Sequence, residues 1–395
     1  MKRLVFLTLL LLISIGFVFS VDYGLLLDQK IEAANNIFSY DAGFTPWFSW
    51  NGEKGFSVYL SAYLLANYNK YTGDLSDNSG WKKPVMLPEV TRFSFGYRKD
   101  QSYFIEAGRI MFSDALLVNA FGLYDGVRFE KYTDKGDLST GLFYTGLLYK
   151  ETAKILMTEN DIFDYSQPWG EKRGYLASSR LFSSIRWDMP VFNYSTLSFE
   201  VLAQFDLNNT SDKLHSQYGE ARLGILTNNN MNISGGLFFE TMEAGNEFGA
   251  AFGFLADLKM FLPGKQIDAI KFSAKFSSGS WNDYLVAYNP LVSLRQGEIF
   301  GETLSGLWLV SAGYEIKILR NLYADAALRY FGRTFTDPVE DGTLYGPEIW
   351  ANAIWQFFDD CNFSVGGGLF FPALGNAYSD KKVMWKIRAA VSIAL

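Results

Sequence analysis

The sequence is poor in the residues that carry most protein chemistry. It has one cysteine, Cys361, and one histidine, His215, in 395 residues. A single thiol cannot form an intramolecular disulfide. One thiol and one imidazole are too few for a soft-metal site. No glycine-rich phosphate loop follows a strand-like segment. No cofactor is therefore expected. Proline is sparse, at 10. Long apolar runs are missing too. After residue 20 no stretch reaches 18 apolar residues, which leaves no candidate for a second membrane-spanning helix. Basic residues are in deficit: without Lys2 and Arg3 there are 33 against 42 acidic ones, a formal charge of −9. That balance argues against nucleic acid as a partner.

What is present begins with a leader. Lys2 and Arg3 precede an uncharged run over 4–19, and Val18-Phe19-Ser20 offers permissive residues for cleavage. This is the layout of a secretory signal, expected to end at residue 20. The remaining 375 residues, 21–395, read as one domain, with no internal repeat or linker. Aromatics are abundant, with 10 Trp, 23 Tyr and 35 Phe.

Mean hydropathy is near zero, yet apolar residues recur with period two. In 197–206, Leu197, Phe199, Val201, Ala203 and Phe205 alternate with Ser198, Glu200, Gln204 and Asp206. Segments 56–66, 270–277, 322–331 and 383–395 do the same. Successive strand side chains point to opposite faces, so alternation gives one greasy and one polar face. A soluble sandwich would also alternate. Two features favour a membrane barrel instead: segments often run to 11–15 residues, and aromatics such as Trp187, Tyr194, Trp308 and Trp355 gather near their ends. The expected fold is all-β, a transmembrane antiparallel up-and-down barrel of about 18 strands. Periodicity is poor in the first two segments, 22–33 and 37–50, so 16 strands remain an alternative. Long connectors, such as 72–88, 151–175 and 280–304, alternate with turns of a few residues. Outer-membrane barrels place long loops outside and short turns in the periplasm.

Short motifs add a resemblance. Glu106-Ala107-Gly108-Arg109 followed by Tyr124-Asp125-Gly126-Val127-Arg128, and Gly366-Gly367-Gly368-Leu369-Phe370-Phe371-Pro372 before a last alternating strand, look like patterns of large bacterial porins. In layout the chain resembles the 18-stranded porin type that includes alginate-export proteins. The resemblance implies an outer-membrane channel for passive diffusion of small hydrophilic solutes. Its implied partners are outer-membrane lipid and the assembly machinery, with a homo-oligomer left open.

Strand parity assigns the candidate pore-lining residues. Arg92, Arg128, Arg180, Arg186, Arg222, Lys271, Lys275, Arg329, Lys386 and Arg388 point inward, with Glu130, Glu200, Glu220, Asp257, Asp325 and Glu348. Parity puts Arg109 on the opposite face, and a bulge is expected to turn it inward. A solvated wall of ion pairs is one reading. A charge ladder preferring anions is the other, since charged rings set pore selectivity. The loop 113–122 carries Ala115-Leu116-Leu117-Val118, too apolar for water, and is expected to fold into the barrel mouth. Tyr59, Tyr63, Tyr218 and Trp350 point inward, to fill the wall or to stack on sugars.

Two other classes fit the sequence less well. A barrel hydrolase needs a base beside a nucleophile, and only His215, near the outer rim, could serve; no enzyme is expected. A surface-exposed structural or adhesion barrel with a closed lumen is the nearer alternative.

Overall fold

Eighteen strands form in the order Val21–Ala34 (β1), Ile37–Asn51 (β2), Phe56–Tyr71 (β3), Val85–Lys99 (β4), Tyr103–Ser113 (β5), Phe121–Thr133 (β6), Gly136–Tyr144 (β7), Arg180–Phe192 (β8), Ser195–Asp206 (β9), Leu214–Leu226 (β10), Met231–Ala244 (β11), Glu247–Phe261 (β12), Ile267–Ser277 (β13), Leu307–Leu319 (β14), Leu322–Arg333 (β15), Leu344–Phe358 (β16), Cys361–Phe370 (β17) and Met384–Ala394 (β18). The computed structural model describes residues 21–395 apart from 36, 72–84, 168–173, 193, 210–212, 228–229, 246, 265–266 and 336–341. The leader over 1–20 and most of the loop 72–88 lie outside the described residues.

Each strand pairs antiparallel with the next, and β1 pairs with β18 from Leu26↔Ala394 to Ala34↔Lys386. The sheet is therefore closed, and no backbone edge is left unpaired. Connectors from even to odd strands, such as 134–135 and 320–321, are two to five residues long. The long ones, 114–120, 145–179 and 278–306, all lie at the other end. Both chain ends of the barrel sit with the short turns.

Exposure is inverted relative to a soluble protein. On outward positions Leu237, Val201 and Ile185 are 67, 61 and 59% exposed, while inward Arg180 and Glu348 are 0% exposed. Such a surface is matched by lipid hydrocarbon, and a closed barrel with an apolar belt is the architecture of bacterial outer membranes. Strands β1 and β2 belong to it fully. Their alternation is blurred because Gly24, Leu26, Gly43 and Trp47 share the inner face with polar residues: Gly24 is opposite Trp47, Leu26 opposite Thr45, and Gly43 opposite Asp28.

The long connector expected at 151–175 is longer than that: β7 already ends at Tyr144, because Thr145 is tied to the Arg180 backbone and Lys150–Ala153 turns into a short helix, α1. A second helix, α2, spans Glu159–Ser166, with Thr158 and Asp161 capping each other's backbone N–H groups. The hydrophobic core lies inside the barrel. Ile110, Phe112, Tyr124, Phe143, Phe182, Phe238, Phe331 and Phe370 project inward and are covered by the long loops.

Candidate functional site

Three loops turn into the lumen, each for a local reason. In 114–120 the Asp114 carboxylate accepts N–H bonds from Val118 (3.0 Å), Asn119 (3.3 Å) and Ala120 (2.7 Å), curling the segment on itself. Its outer backbone is then received by the wall. Ala115 N–H donates to Glu200 at 2.7 Å, Leu116 N–H donates to Glu220 at 3.1 Å, and Arg222 donates to the Ala115 carbonyl at 3.1 Å. Leu116 lies on Gly236, where a Cβ would come within 2.2 Å of its side chain. The apolar loop expected at 113–122 is thus inside the barrel, sealed against β9–β11.

The loop 278–306 crosses the lumen. Asn289 N–H donates to Glu240 on β11 at 2.7 Å, and Leu291 N–H donates to the Asn119 side chain at 2.8 Å. A small hairpin follows, closed by an Arg295–Thr303 bridge. The Glu348 carboxylate of β16 accepts the N–H groups of Glu298, Ile299 and Phe300 at 3.0, 2.9 and 2.8 Å, and Arg329 donates to it at 2.8 Å. Phe300 stacks on Phe331 with centroids 4.2 Å apart. On its other side the hairpin is tied to β18 by Glu298–Arg388 (3.4 Å) and by Lys386 to the Glu298 carbonyl (3.2 Å).

The loop 145–179 is locked by Arg180, which pairs with Asp161 of α2 and with Asp206 of β9 (3.1 Å). Thr152 donates to Glu89 of β4 at 3.1 Å. Ser293 N–H donates to the Lys154 carbonyl at 3.1 Å, joining this loop to the crossing one.

Toward the long-loop end the loops therefore cover the wall from β5 to β17, and the rest of the wall from β1 to β5 stays polar and half-exposed. There Lys30 pairs with Asp41 at 2.9 Å, and Arg92 and Arg128 share Glu106 at 3.1 and 2.9 Å. Facing that wall are Lys154 and Arg295, both exposed, with no ion-pair partner among the described residues. Partial loss of water in the crowded mouth pushes the Lys154 ammonium below its ordinary value. Arg295 adds to that, Glu151 opposes it, and Lys30 across the gap adds again.

The pore-lining residues expected from parity divide. Arg92, Arg128, Arg186, Lys271, Arg329, Arg388 and Glu130 occupy inward positions, and all are in ion pairs. Lys275 points inward and donates to Gln296 at 3.1 Å. Arg180, Glu220 and Glu348 also point inward but are sealed beneath the loops, and Arg222 is taken up by one of them. Arg109 is a correction. No bulge turns it: it pairs in register with Asp125, on the side of Ile105 and Met111. Its guanidinium binds Asp125 twice at 2.9 Å and the carbonyls of Val90 and Leu147, pinning the loop 145–179 from outside the lumen. His215 sits at the rim, where its Nδ1 accepts the Asp206 N–H at 3.2 Å and its ring lies near Phe205.

Lys154, Arg295 and Lys30 were missed. Two lie in loops and one in the segment of blurred alternation. Ile155-Leu156-Met157 and Leu291-Val292 are as apolar as 115–118 and turn inward for the same reason, carrying Lys154 and Arg295 with them.

No sequence-family model matches the chain, and no curated protein does. Solved structures do match. The chain superposes on Pseudomonas aeruginosa OccK5 (OpdH) with a TM-score of 0.63 at 9% identity, covering 95% of this chain and 98% of that one. For Pseudomonas aeruginosa OccK1 (OpdK) the values are 0.63, 10%, 95% and 98%. For Pseudomonas aeruginosa OprD they are 0.60, 12%, 95% and 95%. At these identities the likeness is one of fold, and over nearly its whole length the chain has the fold of these proteins.

Proposed function

We propose that this protein is an outer-membrane channel for passive diffusion of small hydrophilic solutes, with a preference for anions set at one constriction. One observation carries the reading. Toward the long-loop end, loops fill the lumen against β5–β17 and leave a polar strip along β1–β5, narrowed where Lys154 and Arg295 face Lys30 and Asp41. A plug built only for stability would have no reason to leave two unpaired cations in that gap. Fixed charge in a narrow passage with low-dielectric walls biases which ion enters. The wall arginines contribute less, because each is neutralised by a carboxylate or tied to a loop.

The reversal potential in a salt gradient tests this. Replacing Lys154 and Arg295 together with Gln should shift selectivity toward cations, more strongly at low salt where screening is weak. Arg186→Gln, whose partner Asp188 is 2.9 Å away, should shift it less. An unchanged reversal potential in the double variant would refute the assignment of selectivity to this pair.

A further inference from the structure

The inward aromatics fall into two groups. Tyr218 and Trp350 are covered by the loops, at 2 and 3% exposure. Trp47, Tyr59 and Tyr63 stand half-exposed on the open wall. Trp47 and Tyr59 have an arrangement of their own. The inward side of Gly24 is covered by the Trp47 ring, whose atoms lie 2.7 Å from where a Cβ would be. The Trp47 ring thus lies against the wall at Gly24. The Tyr59 ring is within 5° of parallel to it, with centroids 6.4 Å apart. The two residues are diagonal neighbours on β2 and β3, since Trp47 faces Ser61 and Tyr59 faces Ser49. Together they make one apolar platform on an otherwise polar wall, near the short-turn end of both strands.

A chain of paired charges starts on the Tyr59 end of this platform and runs along the wall. The Arg92 guanidinium lies 4.9 Å over the Tyr59 ring. Arg92–Glu106, Glu106–Arg128 and Arg128–Glu130 follow at 3.1, 2.9 and 3.2 Å. Arg92, Arg128 and Glu130 keep 38, 25 and 23% of their side chains exposed. They offer donors and acceptors with little net field.

A sugar ring fits both halves. Its C–H face suits the negative face of an aromatic ring. Its hydroxyls both donate and accept, and so use guanidinium and carboxylate alike. A simple anion would need unpaired cations, and a flat aromatic solute would have no use for the polar edge. We propose that Trp47 and Tyr59, with Arg92 and the Glu106–Arg128–Glu130 run, form a subsite that holds a neutral saccharide below the constriction. The proposal rests on the reading of the lumen as an open passage.

Maltotriose added to the purified protein in a planar bilayer tests it, with polyethylene glycol of similar size as control. Maltotriose should block the ionic current reversibly and more strongly than the polymer. Trp47→Ala and Tyr59→Ala should each weaken the block roughly two- to tenfold, with ionic conductance retained. Trp47→Phe should recover part of the affinity, because a flat ring is restored. An open channel that maltotriose blocks no more than the polymer does, or blocks equally in Trp47→Ala, would overturn the subsite alone. No ionic current in any variant would overturn the passage, and the subsite with it.

Discussion

Arg180 carries a full charge at 0% exposure. Such a charge is tolerable only where partners replace the water it loses. Asp161 and Asp206 do so, together with the Leu214 carbonyl at 3.0 Å. Arg180→Ala should leave two buried carboxylates unpaired. The expected cost is about 3–5 kcal/mol, read as a lower urea midpoint and faster proteolysis in 145–179. A midpoint equal to that of the unaltered protein would contradict this role. Lys154 makes a different prediction. Its lowered ammonium value means that the charge is present below that value and lost as pH rises through it. Anion preference should therefore fall at a pH below the ordinary lysine value of about 10.4. The fall should vanish in Lys154→Gln, as measured by reversal potentials across a pH series. At this scale the sequence was legible only in part. Parity placed Arg128 and Arg186 correctly on the inner face, but period two says nothing about what covers a position. That is why Arg180 and Glu348 read as water-lining. Parity alone placed Arg109 correctly on the outer face, and the expected bulge is not needed because Asp125 and two carbonyls satisfy the guanidinium there.

The strands were the most legible elements. Their alternation is imposed by lipid on one face and by water or loops on the other, so boundaries fell close to those observed. The expected segment 37–50 matches β2, Ile37–Asn51, to one residue. The loops were legible only where apolar residues made exposure costly, as in 115–118. Their anchoring was not, because it depends on carboxylates far away in sequence: Glu200, Glu220, Glu240 and Glu348 all receive loop N–H groups. Glu348 holds three such groups in the hairpin around Glu298. Glu348→Ala would leave them without an acceptor and Arg329 without its partner. The hairpin should then move, and single-channel conductance should rise and become noisier. Glu348→Gln keeps one acceptor oxygen and should lie between the two. A Glu348→Ala channel with unaltered conductance would show that the hairpin does not set the aperture.

The whole molecule is a cylinder with an apolar exterior and a half-filled interior. Phe252, Phe272 and Leu328 are 41, 48 and 49% exposed on the outer face. Arg at any of them should cost roughly 2–4 kcal/mol near the bilayer midplane and less near the rims. Arg at inward Ser273 should be mild. Equal costs on both faces would speak for a two-sided soluble core. Topology has its own check. Cysteine at Glu159 or Asp283, after Cys361 is replaced, should react with an impermeant label on intact cells. Labelling only after rupture of the outer membrane would invert the orientation. The central claim is that the infolded loops narrow the lumen without closing it. Single-channel recording of the purified protein in a planar bilayer tests it most directly. An open constriction beside β1–β5 predicts discrete, reproducible current steps that scale with voltage. A protein that inserts and folds as a barrel yet carries no current would show that the loops seal the lumen, and that the barrel serves as a closed surface structure.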